Sequence, residues 1–231
     1  PHKGPAQLIG ERLMSDQADT SLTLIIGNKN YSSWSLRAWL VLRQAGLPAE
    51  EVLIALNEPG FKSEILKYSP SGRVPCLIHG DVKIWDSLAI GEYVAELVPG
   101  AGLWPEDRGA RALARAVAAE MHSGFSALRE HMPMNIRSSF PKEGRKPGVQ
   151  EDIDRVKAIW RLCRSRHGGD GPFLFGDFTI ADAMYAPVVS RFRTYAVDLG
   201  DDEQAYADAI WSLEAMKEWV EASEDEPMVI D

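Results

Sequence analysis

An apolar run, Leu22 to Ile26, is followed almost at once by NYSSWSLRAWLVLRQAG at 30–46, and this pairing narrows the possible folds more than any other stretch of the chain. The run has strand composition. Behind it Trp34, Ala38, Val41, Leu42 and Ala45 recur at helical spacing, so a strand, a short loop and a helix start follow one another. Ser32 or Ser33 is placed to cap the helix, because a short hydroxyl side chain accepts from the unpaired N–H groups of a first turn. A negative group beside that turn would also meet the positive end of the helix dipole. Serines here more often only cap, and a chemical role needs support from elsewhere in the sequence.

Gly46-Leu47-Pro48 stops this helix, and EVLIAL at 51–56 reads as a short strand. Strand, helix, strand predicts a parallel pair joined by a right-handed crossover. Phe61 to Tyr68 predicts a brief helix ended by the turn cluster Ser69-Pro70-Ser71-Gly72. PCLIH at 75–79 and VKIW at 82–85 flank Gly80-Asp81, the pattern of an antiparallel hairpin. Pro75 lacks an N–H and belongs at a strand start or edge. SLAIGEYVAELV at 87–98 reads as a helix with Leu88, Ile90, Tyr93, Val94 and Leu97 inward. The first half is therefore a small mixed sheet with helices on both faces.

The Pro- and Gly-rich stretch PGAGLWPEDR at 99–108 marks a change of character, and no convincing strand follows it. Ala110 to Met132 predicts one long Ala-rich helix, 135–150 a loop, and Glu151 to Arg166 a further helix. Thr179-x-x-Asp182 is an acidic capping box ahead of an interior helix containing Ala183 to Val189. Final helices are expected over Gln204 to Leu213 and Leu213 to Val220, as one bent segment or two. The expected organisation is a disordered leader at 1–20, in part of vector origin ahead of Met14, then a sheet domain at 21–99, a linker at 100–107 and an all-helical domain at 108–231.

Thirty-four acidic against 25 basic residues give a formal net charge of -9, which argues against a nucleic-acid surface. No apolar stretch approaches the roughly 18 residues of a membrane span. Cys76 and Cys163 form no CxxC and fit two ordinary thiols in a reducing, cytoplasmic compartment. No HxxxH or Cys/His/Asp cluster suggests a catalytic metal.

Three motifs together carry a resemblance: YSSWSLR at 31–37, SPSGRVPCLIHGDVKIWDSLAIGEYV at 69–94, and GDFTIADAMYAPVV at 176–189. They resemble the cytosolic glutathione S-transferase family, with its α/β thioredoxin-like N-terminal domain and all-α C-terminal domain. YSSWSLR is similar to the SSCS stretch of the zeta class, with Trp34 where zeta isomerases of maleylacetoacetate carry cysteine. The resemblance implies a Ser-type member of a bacterial group near the zeta and theta classes.

What the resemblance implies for the site follows residue by residue. Glutathione is the co-substrate, and Ser32 or Ser33 stabilises its thiolate, Ser32 being preferred by its distance from Arg37; Tyr31 is the competing donor. Val74 pairs with the cysteinyl backbone of glutathione ahead of a cis Pro75. Ser87 holds the γ-glutamyl carboxylate, Asp86 meets its ammonium, and Arg73 or Lys62 is a candidate for the glycyl carboxylate. Trp34, Met121, His122, Phe125, Met132, Phe192 and Tyr195 are candidates to line the pocket of a small electrophile, although such a stripe is equally plain core, and His122 more often plays no part in proton transfer. Alternation sends the Cys76 side chain away from the site. The implied activity is transfer of glutathione to a small hydrophobic electrophile. The alternatives are a glutathione-dependent isomerase, dehalogenase or peroxidase, and a non-catalytic binding module. A homodimer is implied as well, with no nucleic-acid or membrane partner.

Overall fold

A computed structural model describes residues 21–230; the leader expected at 1–20 lies outside the described residues. Strand β1 (Leu22–Ile26) is followed by helix α1 (Ser33–Gln44) and strand β2 (Glu50–Leu53). After helix α2 (Phe61–Ile65) come β3 (Cys76–His79), β4 (Val82–Trp85) and helix α3 (Ser87–Leu97). The strands form one sheet in the order β2-β1-β3-β4, with β1 and β2 parallel and the other pairs antiparallel. β1 lies inside the sheet with Leu24, Ile25 and Ile26 fully enclosed, which is why its sequence is a continuous apolar run rather than an alternation. β2 is an edge strand and stops at Leu53, short of the expected Leu56, because Leu56 N–H turns away to the Asn28 side chain at 2.7 Å.

A 3₁₀ turn, Pro99–Ala101, leads towards α4 (Arg108–Ser123), α5 (Ser126–His131), α6 (Val149–Cys163), α7 (Ile180–Thr194), α8 (Asp201–Trp211) and α9 (Glu214–Glu224). The single helix expected over Ala110 to Met132 is two helices. Gly124 leaves the helix in an extended conformation and Phe125 follows with φ of 62°, a left-handed residue that re-aims the chain. Burial of the Phe125 ring accompanies this costly backbone geometry. The last two helices are separate, divided at Ser212-Leu213.

α7 is the interior helix of the second domain. Its start carries both halves of the capping box: Asp182 accepts from Thr179 N–H at 2.8 Å while the Thr179 side chain takes the third-position N–H. The fully buried Asp182 carboxylate also accepts from Leu174 N–H at 3.1 Å and the Thr179 hydroxyl at 2.9 Å. α1 packs on both α3 and α7, so the helix that opens the site sits between the domains. No helix among the described residues is long and apolar enough to cross a membrane.

Candidate functional site

The site forms where the first turn of α1, the turn before β3 and the start of α3 face α4. Val74 precedes a cis bond to Pro75, and among the described residues neither its N–H nor its C=O is hydrogen-bonded. Asp86 caps α3 by accepting from Leu88 N–H at 2.9 Å, with its own backbone at φ of 79°. The next residue, Ser87, is buried, and its Oγ has no hydrogen-bond partner in the chain. These residues, with Ser71, Arg73, Trp85, Trp34 and His122, line a cleft of about 500 Å³.

His122 reaches the cleft from α4. Its Nε2 lies 2.6 Å from Asp86 Oδ2, and its ring meets Trp34 edge-on with centroids 5.2 Å apart. The helical domain thereby touches the acidic residue that opens α3. The Trp34 ring also lies 4.4 Å from the Arg37 guanidinium and 4.9 Å from that of Arg129.

Ser32 is the N-cap of α1. Its Oγ accepts from Ser35 N–H at 3.3 Å and donates to Ser35 Oγ at 2.7 Å, and Ser35 Oγ in turn accepts from Gly27 N–H at 3.0 Å. The Ser33 hydroxyl has no hydrogen-bond partner among the described residues. Both serines are buried, and neither lines the 500 Å³ cleft directly. Tyr31 faces elsewhere: its hydroxyl accepts from Ile230 N–H at 3.0 Å and borders a second cavity of about 590 Å³. Burial acts to raise the Tyr31 phenol, but bonds from Ile230, Arg137 and Asn30 outweigh it and leave it lowered.

The loop ahead of the serines is clamped by residues near position 230. The Glu226 carboxylate accepts from Lys29 N–H at 2.5 Å and from Asn30 N–H at 3.0 Å. Arg137 donates to the carbonyls of Glu226 and Met228 at 2.5 and 2.8 Å, and Trp219 Nε1 donates to Lys29 O at 2.9 Å.

The expected pocket residues divide. Trp34 and His122 meet in the cleft, and Tyr195 borders the second cavity with Tyr31. Met121, Phe125, Met132 and Phe192 are packed in the core, Phe192 against Trp160 at 5.5 Å, and line neither space. Lys62 Nζ lies 3.4 Å from Gly72 O and braces the turn, whereas Arg73 is exposed at the cleft rim. Cys76 packs with Ile25, Ile54 and Ile65; burial raises its thiol, and pushes that of Cys163 up to about 12. Among the described residues no group of three His, Cys, Asp or Glu converges to hold a metal. Trp85 and Ser71 line the cleft without having been singled out from sequence, although both adjoin motifs that were: Trp85 precedes Asp86 and Ser71 lies in the turn before Arg73.

Residues 31–97 match the family described as glutathione S-transferase, N-terminal domain, and residues 110–222 its C-terminal domain. Maleylacetoacetate isomerase of Rattus norvegicus is 30% identical over 172 residues, which is 72% of this chain and 76% of that protein. Glutathione S-transferase 1 of Dianthus caryophyllus is 29% identical over 175 residues, 74% of this chain and 78% of its own. Among solved structures, a glutathione transferase homolog from Burkholderia with bound glutathione superposes with a TM-score of 0.68 at 25% identity, covering 90% of this chain and 100% of that one. A tau-class glutathione S-transferase from Mangifera indica shares the fold, with a TM-score of 0.67 at 22% identity over 90% of this chain and 97% of its own. A thioredoxin-like sheet domain joined to an all-helical one defines the glutathione transferase fold. The chain belongs to the glutathione S-transferase family of enzymes.

Proposed function

We propose that the cleft binds glutathione and that a serine hydroxyl at the start of α1 holds the sulfur as thiolate for addition to a small hydrophobic electrophile. Ser87 carries the reading: its buried hydroxyl is unpartnered at the cleft, beside the first-turn N–H groups of α3. A γ-glutamyl carboxylate would satisfy both, since buried donors without acceptors cost free energy and a helix start favours an anion. The unpaired main chain of Val74 suits the cysteinyl backbone in the manner of an added strand. Asp86 supplies negative charge for the ammonium, and Arg73 at the rim is the better placed cation for the glycyl carboxylate, Lys62 being engaged with Gly72.

Glutathione supplies the thiol, and the chain's task is to favour its ionised form. The Ser32 hydroxyl already donates its hydrogen bond to Ser35, whereas Ser33 has no such commitment and sits in the first turn of the helix, so Ser33 is the donor this reading favours. Trp34 places an indole where zeta isomerases have cysteine, which favours transfer over isomerisation.

Calorimetric titration with glutathione is expected to show one site per chain, and S87A to weaken it by about 1–3 kcal/mol, roughly 5- to 150-fold. Undiminished affinity in S87A, or no heat from the parent at millimolar glutathione, would refute the reading. The homodimer belongs to the same proposal. Leu66 and Leu97 stand exposed on the first domain and are candidates for its burial. Sedimentation at micromolar concentration is expected to give a species of twice the 25.6 kDa chain, and a single 25.6 kDa species would rule the dimer out.

A further inference from the structure

Near Trp34 the chain buries two guanidinium groups, those of Arg37 and Arg191, and half-buries a third, that of Arg129, with no carboxylate paired to any of them. Arg37 is fully enclosed, and its Nε, Nη1 and Nη2 all lack a hydrogen-bond partner. Arg191 is 4% exposed; its Nε donates to Met132 O at 2.9 Å, and its Nη1 has no partner. Arg129 donates to the carbonyls of Met121, His122 and Gly124. These acceptors are neutral, and none of the three arginines enters an ion pair among the described residues.

The three charges act on one another. Burial first, then Arg129 and Arg191, hold Arg37 well below the usual arginine range, with Asp86 opposing. Asp86 is not a direct partner: no Arg37 nitrogen bonds to it, and its oxygens meet Leu88 N–H and His122. Asp152, which acts on Arg129, gives an oxygen to Leu128 N–H. A buried charge needs a counter-charge and a buried N–H needs an acceptor, and here both needs fall on the same atoms.

We propose that Arg37 and Arg191, with Arg129 beside them and the Trp34 indole above, hold one small monovalent anion of the chloride class. The donors are four unpartnered N–H-bearing nitrogens on two side chains, Nε, Nη1 and Nη2 of Arg37 and Nη1 of Arg191. The enclosure favours a small spherical ion over a carboxylate or a phosphate, because Arg37 has no exposed surface and does not line the glutathione cleft. The site is a structural one under the floor of that cleft and does not depend on what the cleft binds.

The test uses the whole chain in two measurements. Thermal unfolding is followed while chloride or bromide replaces sulfate at constant ionic strength. A saturable rise in Tm of about 5 °C is expected, as mass action requires of a ligand that binds only the folded state. R37M and R191M are expected to lose the saturable part. Crystals grown in bromide are then expected to show an anomalous peak within hydrogen-bond distance of Arg37 and Arg191. Because this second measurement uses the parent chain, it stands even where a variant does not fold. A Tm insensitive to halide, or water in place of bromine at that position, would overturn the proposal.

Discussion

Replacing Asp182 by alanine is expected to lower the unfolding free energy at pH 7 by about 3 kcal/mol, the sum of a lost N-terminal cap and of buried donors left without acceptors. The carboxylate serves Thr179 N–H, the Thr179 hydroxyl and Leu174 N–H, all inside the second domain where water cannot replace it. Its acidity adds a pH dependence with a definite sign. Burial raises Asp182 from 3.8 to about 6 against the pull of its hydrogen bonds. The folded state therefore holds the proton more tightly than the unfolded one. The stability contributed by this group is greatest below about pH 4 and falls as pH rises towards 6, by about 3 kcal/mol in all. D182A lacks that dependence, so its deficit relative to the parent should widen as pH is lowered from 7 to 4.5. Denaturant titration at the two pH values measures both effects. A deficit below about 1 kcal/mol at pH 7, or one that narrows on acidification, would contradict the account.

S33A is expected to raise the pKa of bound glutathione by a unit or more, each unit being about 1.4 kcal/mol of lost preference for the thiolate. Turnover should fall by roughly 10²-fold, the scale for removing one donor aimed at developing negative charge. S32A should act mainly on stability, because its hydroxyl caps α1 and is bonded to Ser35. Y31F should leave the thiolate titration unchanged, as the Tyr31 hydroxyl is held by Ile230 beside the second cavity. Ultraviolet difference titration of the binary complex separates these cases. A shift in S32A alone would return the role to the serine favoured by sequence spacing, and a parent-like titration in both serine variants would leave only capping.

The parts of the fold that sequence made legible are those with local causes. The hairpin at Gly80-Asp81 and the Thr179–Asp182 box depend on residues a few positions apart, the parallel β1–β2 pair on one strand-helix-strand unit, and each stands in the structure. The break at Phe125 was not legible: its ring fits an unbroken helical pattern, and only burial against the rest of the core explains a left-handed backbone there. In the site, Val74, Pro75, Asp86 and Ser87 were expected from the resemblance, and the structure sets the four side by side along one cleft. The His122–Asp86 contact joins α4 to α3 across the domain boundary, and nothing near either residue in sequence announces it. The full burial of Arg37 was not legible either, because Arg129 and Arg191, the charges that act on it, come from helices about 90 and 150 residues further along the chain.

The clamp on the loop before α1 has a consequence for synthesis of the chain. Asn30 and the Glu226 carboxylate that accepts its N–H are separated by 196 residues. At ribosomal rates this is a delay on the order of 10 to 40 s between the emergence of the loop and that of its acceptor. In the course of that interval the strands of the sheet domain are completed, while the backbone donors of Lys29 and Asn30 lack the carboxylate that accepts from them in the folded chain. The loop that carries Ser32 and Ser33 is thus made well before the segment that supplies its partners.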